Sequence, residues 1–280
     1  KAKNLIRGPA GTTVKLTVGR LADPSKPEGA GNPMKTVELT VERDVIRTDG
    51  LRYSIGPPNG HEGERDIGYI QLEGTFSDET EGQLDQALAE MSKKKVKGII
   101  LDLRDNPGGL LEVAIGVCSR FIPEGPVVFI QESGGARMAR NAVRSKYFAQ
   151  REGPMVVLVN KQSASASEIV AGALRDKGVA KLVGETTFGK GLVQTIIPLE
   201  SDGSAGALKI TTAKYFTPNG TDINHKGIEP DVKVTGERPD SDPFKAPDPK
   251  AKDEQLNRAI QVLRQEIRTH DAKVAHTPAR

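Results

Sequence analysis

Between residues 65 and 231 the chain repeats one pattern, a short and almost wholly apolar run followed by a longer stretch with apolar residues at helical spacing. Gly98-Ile-Ile-Leu-Asp-Leu103 and Met155-Val-Val-Leu-Val-Asn160 carry so little polar surface that neither side suits water, which marks strands buried on both faces of a sheet. Ile67-Gly-Tyr-Ile-Gln-Leu72 reads as a third strand. Helices are expected over 75–91, where Leu84, Ala87, Leu88 and Met91 share a face, and over 113–121 and 165–174. Strands alternating with helices fold as an α/β body.

The flanks differ from this body. Residues 1–44 predict a short helix at 2–7, alternating strands at 13–18 and 36–41, and an exposed Gly/Pro-rich connector at 21–33. Two strands and one helix bury too little surface to stand alone, so this is a fragment of a module. Beyond 236 a Pro/Asp/Lys-rich linker leads into a helix carrying Leu256, Ile260, Leu263 and Ile267. The expected division is 1–44, 45–235 and 236–280, one main body with smaller appendages, as suits 280 residues at roughly 100–200 per domain. The chain opens at Lys1 with neither initiator Met nor leader, so its natural N-terminus is expected upstream.

Composition removes several function classes. Lys and Arg number 40 against 37 Asp and Glu, a net +3 with no basic stripe, which argues against a nucleic-acid partner. The single cysteine, Cys118, excludes an intrachain disulfide and the usual Cys-based zinc site. It falls on an apolar helix stripe near Val113, Ile115 and Val117, where a buried, inert thiol is expected. No apolar run approaches the ~18 residues of a membrane-spanning helix. The Ser92-Lys-Lys-Lys95 cluster reads as a solvated helix end.

Three segments carry chemistry. In Asn160-Lys-Gln-Ser-Ala-Ser165-Ala-Ser-Glu168 a buried strand ends in a turn of small residues and a helix begins. A hydroxyl there sits at the positive end of the helix dipole, beside free N–H groups suited to an oxyanion. Ser165-x-x-Glu168 reads equally as a capping box with no function. In Thr186-Thr-Phe-Gly-Lys190-Gly-Leu-Val-Gln194 a lysine lies between glycines among apolar neighbours. If buried, it would shed its proton more easily; reaching the 7–8 that suits a general base takes roughly three pKa units, about 4 kcal/mol. Such an amine could deprotonate a serine without a histidine, and a surface loop lysine is the plain alternative. Gln194, four residues on, would share its face if the stretch were helical. In Leu103-Arg-Asp-Asn-Pro-Gly108-Gly109-Leu110 adjacent glycines offer unshielded N–H groups, although an ordinary turn would look similar.

Together these segments resemble the carboxyl-terminal processing proteases, the tail-specific protease family of Ser–Lys serine peptidases. The likeness runs over 65–231 and continues through Tyr215-Phe-Thr-Pro-Asn-Gly220 and Lys226-Gly-Ile-Glu-Pro-Asp231. It implies Ser165 as nucleophile, Lys190 as general base 25 residues later and Gln194 as its support. It implies the Ala166 amide and one of Gly108 and Gly109, more so Gly109, as oxyanion donors, with no metal or cofactor. It also implies a core related to the Clp protease and crotonase spiral. Residues 1–20 resemble the closing helix and strand of a PDZ domain, a module that captures substrate C-termini; the front half of that module is absent and the 21–33 connector looks inserted. The implied partners are protein or peptide C-termini, with an adaptor or a second copy of the chain, and the implied location is extracytoplasmic.

Other candidates weigh less. Among His61, His225, His270 and His276, only His225 lies in a turn region that would approach such a site. Asp176, 11 residues after Ser165, matches an aspartate of some bacterial relatives, but reads as a solvent-exposed helix end. Two other classes are compatible with the sequence: a non-catalytic peptide-binding scaffold on the same fold, and a crotonase-like acyl-CoA enzyme. The latter would need a carboxylate beside Gly108-Gly109 and has no use for Lys190.

Overall fold

The computed structural model describes residues 5–23, 25, 32–44, 50–58, 64–147, 153–199, 206–236 and 252–275. Its contacts divide the chain into two compact units, Lys1–Thr48 and Asp49–Arg280. The first unit is a hairpin: β1 (Thr13–Leu21) pairs antiparallel with β2 (Met34–Glu42), in a register running from Thr13↔Glu42 to Leu21↔Met34. Arg43 closes it, its guanidinium donating to the carbonyls of Leu5, Ile6 and Thr13 and to Thr12 Oγ1. Half of the expected helix at 2–7 falls outside the described residues; the rest is helical at 5–6 and not at 7.

The second unit is the α/β body. Its six-stranded sheet has the order β12-β9-β8-β5-β4-β3: Val232–Lys233, Ala180–Gly184, Met155–Val159, Gly98–Asp102, Ile67–Leu72 and Leu51–Ile55. All neighbours are parallel except β3, which runs against β4. Strands β4, β5 and β8 are buried at every residue, as their apolar runs demanded. A second, antiparallel sheet has the order β10-β11-β6-β7: Leu192–Pro198, Ala207–Phe216, Pro126–Glu132 and Arg137–Asn141.

Helices cover both faces of the main sheet. Helices α1 (Thr80–Lys93), α2 (Leu111–Ser119) and α3 (Ala166–Asp176) enclose the larger core through Leu84, Leu88, Met91, Val113, Val117, Ile169 and Leu174. Helix α4 (Glu254–Ala275) lays Leu256, Ala259, Ile260, Leu263 and Ile267 on the other face, against Tyr69, Ile100, Val156 and Leu158. No helix among the described residues is long and apolar enough to cross a membrane. Cys118 is fully buried on α2 as expected, and burial pushes its thiol well above the usual range.

One helix begins later than its pattern predicts. Residues 75–79 are not helical, because Phe76 bridges to Gly109: the Phe76 N–H donates to the Gly108 carbonyl, and the Phe76 carbonyl accepts the Leu110 N–H. The glycine turn captures the chain before α1 starts at Thr80, whose hydroxyl accepts the Ser77 N–H.

Candidate active site

The carboxyl ends of β5 and β8 bring the glycine turn and the serine turn together. Asn106 joins them. Its side-chain N–H donates to the Leu72 carbonyl, its Oδ1 accepts the Gly108 N–H and the Ser167 hydroxyl, and its carbonyl accepts the Ala164 N–H. Asn160 adds a second tie, its Oδ1 accepting the Asp105 N–H and its amide donating to the Asp105 carboxylate.

Both glycines are required by close approach. Gly108 has φ 97°, and a Cβ there would lie 2.6 Å from the Ala164 carbonyl oxygen, 2.7 Å from the Ala166 nitrogen and 2.9 Å from Ser165 Cβ. At Gly109, φ 156°, it would strike the Phe76 backbone at 2.5 Å. The turn therefore abuts Ser165 and the first amide of α3. The Gly108 N–H is spent on Asn106 Oδ1, whereas the Gly109 N–H meets no acceptor among the described residues. The Ala166 N–H, at the first position of α3, lacks a helical partner for the usual terminal reason.

The three serines of the turn separate by environment. Ser163 is fully buried, its hydroxyl donating to the Leu103 carbonyl and accepting the Asn160 N–H. Ser167 is fully buried and commits its hydroxyl to Asn106. Only Ser165 is half-exposed. Its backbone, φ 57° and ψ −113°, occupies a region disfavoured for any side chain, at a cost of order 1–3 kcal/mol. Ser165→Gly is accordingly expected to raise stability by ~1 kcal/mol in chemical denaturation, and a loss of stability would show that the turn is not strained.

Glu168 locks this turn to the lysine loop. Its fully buried carboxylate accepts the Ser165 and Lys190 N–H groups on Oε2 at 2.9 and 2.8 Å. On Oε1 it accepts the Thr187 hydroxyl and the Gly189 N–H at 2.5 and 2.7 Å. The main-chain nitrogens of Ser165 and Lys190 thus lie within about 6 Å of each other, both hydrogen-bonded to one oxygen. Sequence reasoning read Glu168 only as half of a capping box. The spacing that suggested the cap was the available signal, and the long-range role is invisible without the fold. From below, the 224–228 turn supports the loop: Thr187 exchanges bonds with Ile228, and His225 donates its N–H to the Gly189 carbonyl.

The side chains of the expected dyad are less assembled than their backbones. Lys190 is half-buried rather than sheltered, and its Nζ makes no hydrogen bond to Ser165 Oγ. Gln194 is not helical but exposed on β10, beside a bulge between Val193 and Gln194, and makes no bond to Lys190. The His225 side chain is exposed, His270 lies on α4, and His61 and His276 fall outside the described residues. Among the described residues no cluster of three or more His, Cys, Asp or Glu is set to hold a metal ion.

Asp176 is not the solvent-exposed residue expected at a helix end. Its carboxylate is 4% exposed, pairs with Arg175 and accepts the Asn219 N–H at 2.9 Å. It stands at the opposite end of α3 from Ser165, roughly 16 Å away at 1.5 Å per residue. Asp176→Ala is expected to lower turnover less than tenfold while reducing the unfolding midpoint; complete inactivity of a folded variant would contradict a purely supporting position.

Residues 66–234 match the model of Peptidase family S41. The chain belongs to peptidase family S41. It is 40% identical over 238 residues to a carboxy-terminal-processing protease of Bartonella bacilliformis, covering 84% of this chain and 50% of that protein. It is 40% identical over 235 residues to the carboxy-terminal processing protease CtpA of Bacillus subtilis, covering 84% and 45%. Among solved structures, a photosystem II D1 C-terminal processing protease superposes with a TM-score of 0.58 at 35% identity, over 81% of this chain and 56% of that one. The chain thus spans about half the length of the curated S41 relatives it matches.

Proposed function

We propose that this S41 chain is the catalytic part of a serine endopeptidase that cuts protein substrates near their C-termini. The observation that carries the reading is that Ser165, alone of the turn's three serines, is half-exposed, beside Gly109 and Ala166 amides and on the same carboxylate as the Lys190 backbone. Ser165 Oγ attacks the scissile carbonyl carbon and its proton passes to the neutral Lys190 Nζ. The Gly109 and Ala166 N–H groups receive the oxyanion. Collapse breaks the C–N bond, the Lys190 ammonium protonates the leaving amine, and a water deprotonated by Lys190 then hydrolyses the acyl-enzyme. An extended peptide lying over the half-buried Lys190 excludes water from its amine and closes the gap to Ser165. Gln194 would orient that amine after a local rearrangement of the start of β10.

Residues 45–235 form the peptidase core in this reading, related to the Clp protease and crotonase spiral. Residues 1–44 are a PDZ-derived segment with an inserted connector, and 236–280 a linker and helical tail. Free polypeptide C-termini are the partners, with an adaptor or a second copy of the chain completing capture, in an extracytoplasmic compartment. A polypeptide tagged at both ends, digested and mapped by mass spectrometry, is expected to lose its C-terminal tag first. Cuts spread evenly along the chain would contradict the C-terminal preference.

A further inference from the structure

Arg104 stands four residues before Gly108 and is almost wholly buried. Its guanidinium is fully satisfied. Nε and Nη2 donate to the Asp102 carboxylate, Nη1 and Nη2 donate to the two oxygens of Asp253 at 2.8 and 2.9 Å, and Nη1 also meets Gln255 Oε1 at 3.3 Å. Burial alone would weaken its hold on the proton; the two carboxylates more than offset this and raise its affinity well above the ordinary value. Asp253 and Gln255 lie beyond the residues that match the family, at the start of α4. Asp253 also caps that helix, accepting the Leu256 N–H on Oδ1, while Gln255 donates to the Val234 carbonyl. On the other side Asp102 accepts the Tyr69 hydroxyl and the Arg104 N–H, at the root of the glycine turn.

We propose that Asp253 is a positioning residue for the oxyanion turn: through Arg104 its carboxylate fixes the root of residues 105–109, and so the placement of the Gly109 N–H. Removing one carboxylate leaves a buried cation with half its partners, and the least costly relief is to let the Arg104 backbone, and the turn it begins, move outward. Displacing donors by a fraction of an ångström is felt in kcat, because they act only on the charge that develops at the transition state. This inference rests on the oxyanion role given to Gly108-Gly109 above.

The test compares Asp253→Asn and Arg104→Lys with Ile260→Val, which loosens α4 on the sheet without touching the ion cluster. Each is made in the full chain and read by peptide turnover and by amide hydrogen exchange over 103–110. Asp253→Asn and Arg104→Lys are expected to lower kcat about tenfold or more with KM nearly unchanged, and to speed exchange in 103–110. Ile260→Val is expected to lower the unfolding midpoint and leave both readings alone. Equal effects of all three, scaling with lost stability, or unchanged exchange in Asp253→Asn, would overturn the proposal. Faster exchange in Asp253→Asn with no cleavage even by the unaltered chain would uphold the coupling and reject only the peptidase reading.

Discussion

Lys190→Ala is expected to reduce peptide-bond cleavage by on the order of 10⁴-fold or more while leaving the fold intact, as is Ser165→Ala. Both substitutions spare the scaffold. What holds each residue in place is its main-chain N–H on Glu168, and neither truncation removes it. In the proposed mechanism attacking hydroxyl and accepting amine act as one unit, so the losses should not multiply and the double variant is expected to be about as inactive as either single. Turnover by the singles and the double on one peptide substrate, with circular dichroism to confirm folding, checks this. Substantial cleavage by Lys190→Ala would mean that another base does the work.

Glu168→Gln is expected to cost ~10²–10³ in kcat with a small change in KM. The carboxylate receives four donors, two on each oxygen, from Ser165, Lys190, Thr187 and Gly189. An amide can turn its single oxygen to only one pair, so two donors must face an NH2 group in a fully buried site. Each such mismatch costs about 1–3 kcal/mol, and the turns would separate to relieve it. A displacement of ~1 Å between nucleophile and base is enough for a hundredfold loss. Urea unfolding is expected to report a destabilised yet cooperative protein. Normal kcat in Glu168→Gln would show that the two turns are held by something other than this carboxylate.

How much of this was legible beforehand follows from the range of each interaction. Strands β4, β5 and β8 declared themselves because burial on both faces leaves a local, uninterrupted apolar run. The antiparallel sheet did not. Its β10 and β7 are largely exposed and mixed in composition, and the two hairpins they belong to become one sheet only through the pairing of β11 with β6, which are distant in sequence. Ser165, the glycine pair and Lys190 were marked by small residues that a close backbone approach requires. Phe76 was misread as helical because its pull toward Gly109 is a tertiary bond across 33 residues. Glu168, Asn106 and the Arg104–Asp253 pair escaped for the same reason: each joins segments whose proximity only the fold creates. The helical reading of Gln194 failed because residue spacing says nothing of whether a glycine loop leads into helix or strand.

The most direct measurement is covalent capture of the nucleophile with a fluorophosphonate, located by peptide mapping. One equivalent is expected on Ser165, with none on the buried Ser163 or Ser167, and with capture abolished in Lys190→Ala. Capture on a different serine, or equally fast capture of Ser165 when the lysine is gone, would contradict an alcohol activated by that amine.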